Sequence, residues 1–137
     1  MIDPMQRLLA AGLMLVTLAA CGGDDTATKR RIVGTFTIRD VNGDVTTEGK
    51  RCTGGDGYED IRSGTEIRVS DEDGNIIAVG SLKGDGTVGS DGRCAWAWAI
   101  PKVPDQSVYG FEVARRGRAT YTRDQLKQHP IVILTLG

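Results

Sequence analysis

From residue 32 onward, apolar positions alternate with polar or small ones; they do not recur at helical spacing. Over residues 32–39, Ile32, Gly34, Phe36 and Ile38 fall on one face of an extended chain and Val33, Thr35, Thr37 and Arg39 on the other. That period of two is the mark of a half-buried strand. Asn42-Gly43 follows, a pair suited to a two-residue hairpin turn, and predicts that 45–48 returns antiparallel. Residues 49–57 read as a glycine-rich loop carrying Cys52. Alternation resumes over 65–70, Asp71-Glu72-Asp73-Gly74 turns the chain, and 75–82 returns. Residues 83–92 read as a second Gly/Asp loop.

In 93–100, Cys94, Trp96, Trp98 and Ile100 share one face while Ala95, Ala97 and Ala99 share the other. Bulk on one side and alanine on the other predict a central strand covered on both faces, ended by Pro101 and Pro104. Residues 108–115 form the next strand, Arg116-Gly117 a turn, and 118–121 a short strand. Thr122 and Gln125 match a capping box, which predicts one or two helical turns over 122–128. The nearly unbroken apolar run 131–136 reads as a closing strand. The expectation is an all-β fold of seven or eight strands in a two-sheet antiparallel β-sandwich, with one short helical turn.

The first part of the chain has a different pattern. Residues 8–20 are an uncharged, largely apolar run behind Arg7. A bilayer span needs about 20 residues, so this run suits the core of an export signal. Asp3 and Pro4 are unusual there, and Met5 is an alternative start to Met1. Leu18-Ala19-Ala20-Cys21-Gly22 resembles the bacterial lipobox. The resemblance implies that Cys21 receives a diacylglyceryl group and becomes the mature N-terminus after cleavage. The division expected is a signal over 1–20, a lipidated cysteine and flexible polar tether over 21–31, and a β-domain over 32–137. Lys29, Arg30 and Arg31 close the tether, either as solvated charges or as contacts to lipid headgroups.

Two cysteines remain, Cys52 and Cys94. Outside the cytoplasm disulfides persist, so these two are expected to pair. A reduced pair or a metal site is the alternative, and one histidine with no Cys-x-x-Cys gives a metal little to bind.

Composition narrows the function less than the location. With 137 residues the chain holds one ordinary domain, and 39% hydrophobic with 26% charged residues is globular composition. A net charge of -1 gives no general case for nucleic acid. The charge is uneven: residues 40–92 hold twelve acidic against five basic residues, and 110–129 hold five basic against two acidic.

Chemistry-bearing groups are few. His129 precedes Pro130 at a strand start and reads as a loop residue, no Gly-x-Ser-x-Gly is present, and Glu59-Asp60 is a carboxylate pair without a cleft around it. No catalytic residue and no cofactor is assigned. Asp71, Asp73 and Asn75 are similar to the start of a calcium loop but lack its glycine offset and closing glutamate, so a hairpin turn is the simpler reading. Trp96 and Trp98 suit either a core beside the disulfide or a sugar-stacking platform. Arg115, Arg116 and Arg118 make a basic turn that could grip an acidic partner.

From Gly57 on, the hairpin around Asp73-Gly74, the Cys-aromatic strand and the terminal ILTLG are similar to small exported domains of actinobacterial lipoproteins. The layout also resembles immunoglobulin-like or prealbumin-like modules, and such folds carry many functions. The reading is therefore an exported, surface-anchored lipoprotein acting as a binding or accessory module, and not an enzyme. Its partners would be the membrane through Cys21 and an envelope protein or polymer. The alternative is a calcium- or carbohydrate-binding module.

Overall fold

The structure, a computed structural model, describes residues 28–39 and 43–136. The export signal, Cys21, most of the tether and Asn42 lie outside the described residues. In chain order the elements are β1 (Lys29–Ile38), β2 (Val45–Glu48), β3 (Arg51–Gly54), β4 (Glu66–Ser70), β5 (Ile76–Ser81), β6 (Gly86–Val88), β7 (Cys94–Pro104), β8 (Val108–Val113), β9 (Arg118–Thr122), α1 (Arg123–Gln128) and β10 (Ile131–Leu136). They form sheet A, ordered β10-β1-β7-β6-β3-β2, and sheet B, ordered β5-β4-β8-β9.

The alternating residues do what their pattern requires. Ile32, Phe36, Ile38, Cys94, Trp96, Trp98, Ile100, Val132 and Leu134 of sheet A join Ile67, Val69, Tyr109, Phe111 and Val113 of sheet B in one buried core. Trp98 meets Phe111 across the core at 5.8 Å between ring centroids. Gly34 and Gly80 are glycine because the core needs the space. A Cβ at Gly34 would come 2.2 Å from the Trp98 ring, and one at Gly80 2.6 Å from Ile100. The capping box forms as expected: Thr122 Oγ1 accepts from Gln125 N, and Gln125 Oε1 accepts from Thr122 N.

Five expectations are corrected. There are ten strands among the described residues, because β3 and β6 lie inside segments rich enough in glycine to look like loops. Not every pairing is antiparallel: β1 and β10 run parallel, with Val33 opposite Ile131 and Ile38 opposite Leu136. β1 and β2 are not a hairpin. β7 and β10 occupy both edges of β1, so β2 pairs with β3 around the loop Gly49–Lys50, where Gly49 has φ 64°. β7 runs through Pro101 to Pro104. Arg30 pairs with Val103 and Ile32 with Ile100, a register shift that absorbs a residue without an N–H. Finally, β7 is central, but its alanine face is covered only in part: Ala95 and Ala99 are half-buried and Ala97 is exposed.

The Cys52–Cys94 disulfide is present, with both cysteines buried. It joins β3 to β7, the strands on either side of β6. Gly86 of β6 lies against it: a Cβ there would come 2.4 Å from Cys94 Sγ and 3.1 Å from Cys52 Sγ. The glycine that hid β6 from a propensity reading is the one the disulfide requires.

Candidate functional site

The basic turn between β8 and β9 holds the positive-φ residues other than glycine among the described residues. Ala114 and Arg115 both have positive φ, 51° and 61°. L-residues with a Cβ enter that region at a cost of roughly 1–2 kcal/mol each. Two bonds hold the turn: Ala114 N donates to Glu66 O and Arg116 N donates to Val113 O. The side chain of Arg116 supplies the main restraint. Its Nε donates to Asp60 Oδ2 at 2.9 Å, its Nη2 donates to Asp60 Oδ1 and to Gly57 O, and its guanidinium lies 4.6 Å from the Tyr58 ring centroid. This is a two-pronged carboxylate grip closed by a ring face. The hydrogen bond from Arg116 holds the Asp60 carboxyl below the usual carboxylate range, against the opposing effect of desolvation. Asp60 in turn raises Arg116.

The three arginines therefore differ. Arg116 fastens the turn to the 57–60 loop. Arg118 lies across Gly110 on the outside of sheet B and donates from Nη2 to Asp71 O at 2.6 Å. Arg115 makes no ion pair among the described residues and is exposed. It is the charge that the strained turn presents to solvent.

Beneath the turn the seam between the two sheets is open. A cavity of about 260 Å³ lies there, lined by Phe36, Phe111, Val113, Ile133 and Leu134 and by the turn from Arg116 to Ala119. Higher up, Tyr121 Oη donates to Ile133 O at 2.7 Å and bridges β9 to β10.

The remaining candidates fall elsewhere. Asp71 Oδ1 accepts from Asp73 N and Asn75 N, and its Oδ2 accepts from Asn75 Nδ2. Desolvation would raise the Asp71 carboxyl, and these bonds outweigh it and lower it. The carboxylate is thus occupied in closing its own hairpin, where Gly74 has φ 85°. Among the described residues no three His, Cys, Asp or Glu side chains are grouped closely enough to hold a metal ion. Trp96 and Trp98 are 1% and 4% exposed, so neither ring is available as a stacking platform. His129 caps the C-terminus of α1 through a backbone bond to Gln125 O. Glu59 is exposed, and its neighbour Asp60 belongs to Arg116.

Tyr58, Gly57 and Gly110 are the members of this site that the sequence did not reveal as such. Arg116 and Asp60 are 56 residues apart, and no local pattern links them. No known protein family, curated protein or solved structure matches the chain.

Proposed function

We propose that this is an exported protein of the cell envelope, anchored by lipid at Cys21, whose β-domain is a binding or accessory module. The observation that carries the reading is a buried disulfide in a domain whose first strand starts shortly after a lipobox-like Leu18-Ala19-Ala20-Cys21. Structural disulfides belong to oxidising compartments, and two or three acyl chains give the stable attachment that one chain does not. The two sheets support a sandwich of immunoglobulin-like or prealbumin-like type. The partner is an envelope protein or polymer with acidic groups, and Arg115 on its strained turn is the contact. A turn held by buried or clamped neighbours, with one free charge at its tip, is suited to recognition. The calcium and carbohydrate readings are not carried further, because the Asp71 carboxylate is occupied in its turn and both tryptophans are in the core.

Metabolic labelling with a fatty acid tests the anchor. The wild type takes up label and Cys21→Ser does not; equal labelling of both overturns the reading. For the contact, Arg115→Ala weakens capture of the partner in envelope extracts without lowering the melting temperature.

A further inference from the structure

We propose that the outer face of the β10–β1–β7 half of sheet A docks flat on an anionic lipid bilayer. The proposal rests on the lipid-anchored reading above, and names the surface that the anchor brings to the membrane.

The face is defined by register. Ile131, Val33 and Ala99 form one row across the three strands, and Ile133, Thr35 and Ala97 form the next. None of the six carries a charge. Ile131 and Ile133 are 53% and 64% exposed, and with Val33 and the two alanines they make a contiguous uncharged face.

The edge of this face is cationic. A shallow depression of about 500 Å³ is lined by Val33, Ala97, Ala99 and Ile131 together with Arg31 and Lys83, and no acidic residue lines it. Arg31 and Lys83 make no ion pair among the described residues, whereas the adjacent Arg30 faces Asp105 at 3.8 Å. An apolar patch bordered by unpaired cations matches the two layers of a membrane interface, acyl boundary and phosphate.

The path of the chain brings that interface within reach. β1 starts at Lys29 and is pinned by Asp105 N donating to Thr28 O, so the chain arrives at the edge that holds Arg31. Seven peptide units separate Cys21 from Thr28, which extend to at most about 25 Å. A tether that short holds the bilayer at high effective concentration against the nearest surface. A second copy seated on the same face would bring like-charged edges together, whereas anionic headgroups complement them.

The test uses the acylated protein purified from membranes and returned to vesicles of phosphatidylcholine alone or with one-third phosphatidylglycerol. An amine-reactive reagent and mass spectrometry then read Lys83 against Lys50, which sits in the turn at the opposite edge of sheet A. The expected result is a roughly fivefold loss of Lys83 reactivity on anionic vesicles, in line with the attraction of a basic residue to such a surface. Lys50 should not change. The double variant Arg31→Glu/Ala97→Glu should restore Lys83 reactivity while keeping its acyl group and its melting temperature. Acylated protein in which Lys83 and Lys50 react alike on both vesicles overturns the docking alone. Protection of Lys83 that follows protein concentration on either vesicle assigns the face to a second copy and also overturns it. Cys21 found without fatty acid overturns the anchored reading and the docking with it.

Discussion

The two sheets are alike on the inside and different on the outside. Across sheet B, Val79, Arg68, Glu112 and Arg118 form one row, so charges of opposite sign face each other on neighbouring strands. Arg68 is further paired with Glu66. Across β10, β1 and β7 of sheet A the corresponding positions are isoleucine, valine, threonine and alanine. Opposite charges side by side stabilise a solvated face by a few tenths of a kcal/mol per pair and keep it from associating. On sheet B the charges lie on β4, β8 and β9, while its edge strand β5 exposes Ile76 and Val79; the two rows across this half of sheet A carry no charge at all. The inner faces explain why the domain folds; the outer faces differ in where their charges lie.

The sheets also differ in how they are secured. Sheet A is stapled by Cys52–Cys94, while sheet B is tied by Arg116 and Arg118 reaching to the 57–60 loop and to Asp71. The largest expected effect follows from the staple. Replacing both cysteines by alanine should cost about 4 kcal/mol, the loop-entropy value for a separation of this size. Hydrogen exchange of the variant should show β3 and β6 opening before β4 and β8. Equal loss of protection in both sheets would mean that the disulfide does not set the difference between them.

A smaller effect separates the outer faces directly. A Cβ at Gly110 would come 2.0 Å from Arg118 Nε and 2.5 Å from Ser70 Oγ. Gly110→Ala should therefore lift Arg118 off sheet B and cost about 1–3 kcal/mol. Ala97→Ser, on the open face of sheet A, should stay within about 0.5 kcal/mol. Thermal melts of the two variants decide it; similar losses would show that Ala97 is as tightly packed as Gly110.

Much of this architecture was legible in the sequence, and the gaps have physical causes. Strands β1, β4, β7 and β8 bury alternate residues over most of their length, and their period could be read. So could the capping box and the cysteine pair. β3 and β6 are three or four residues long, and Gly86 looks like a loop residue until the disulfide beside it is known. The Asn42-Gly43 signal is local, whereas the partners of β1 come from residues 94–104 and 131–136. The run 131–136 is apolar almost throughout, yet Ile131 and Ile133 face outward. Hydrophobicity alone does not say whether a face is covered by its own fold or left open. The basic turn stood out as charge, but its division into a clamp, a strap and one free arginine depends on residues 40 to 60 positions away.

The Arg116 clamp gives a pH-dependent version of the comparison. The Asp60 carboxyl is lowered in the folded state, chiefly by the hydrogen bond from Arg116. Its contribution is then present above the unfolded value of about 3.9 and is lost as pH falls below that through the folded value. Both partners are partly exposed, 44% and 28%, so the pair is worth about 1 kcal/mol at most. Asp60→Asn should lower the melting temperature at pH 7, and the gap from wild type should narrow as pH falls below about 3.9. A gap that does not narrow at all as pH falls through that range would mean that Asp60 acts through packing and not through charge.

The smallest effects test the outer faces by their response to salt. Arg68→Ala removes the pairing with Glu66 and leaves Glu112 without its cationic neighbour on β4. Exposed pairs contribute about 0.2–1 kcal/mol and are screened by ions. The urea midpoint of Arg68→Ala should therefore fall slightly below wild type at low salt and approach it near 1 M. Ile133→Thr changes a side chain that is 64% exposed and keeps a β-branched residue on the strand. Its midpoint should move by less than about 0.5 kcal/mol, by the same amount at both salt concentrations. The two variants thus have distinct signatures: a screened electrostatic loss on sheet B, and a salt-independent, nearly neutral change on sheet A. If Ile133→Thr costs several kcal/mol, Ile133 is part of the domain's own packing, and the outer face of sheet A is no longer free to receive a partner.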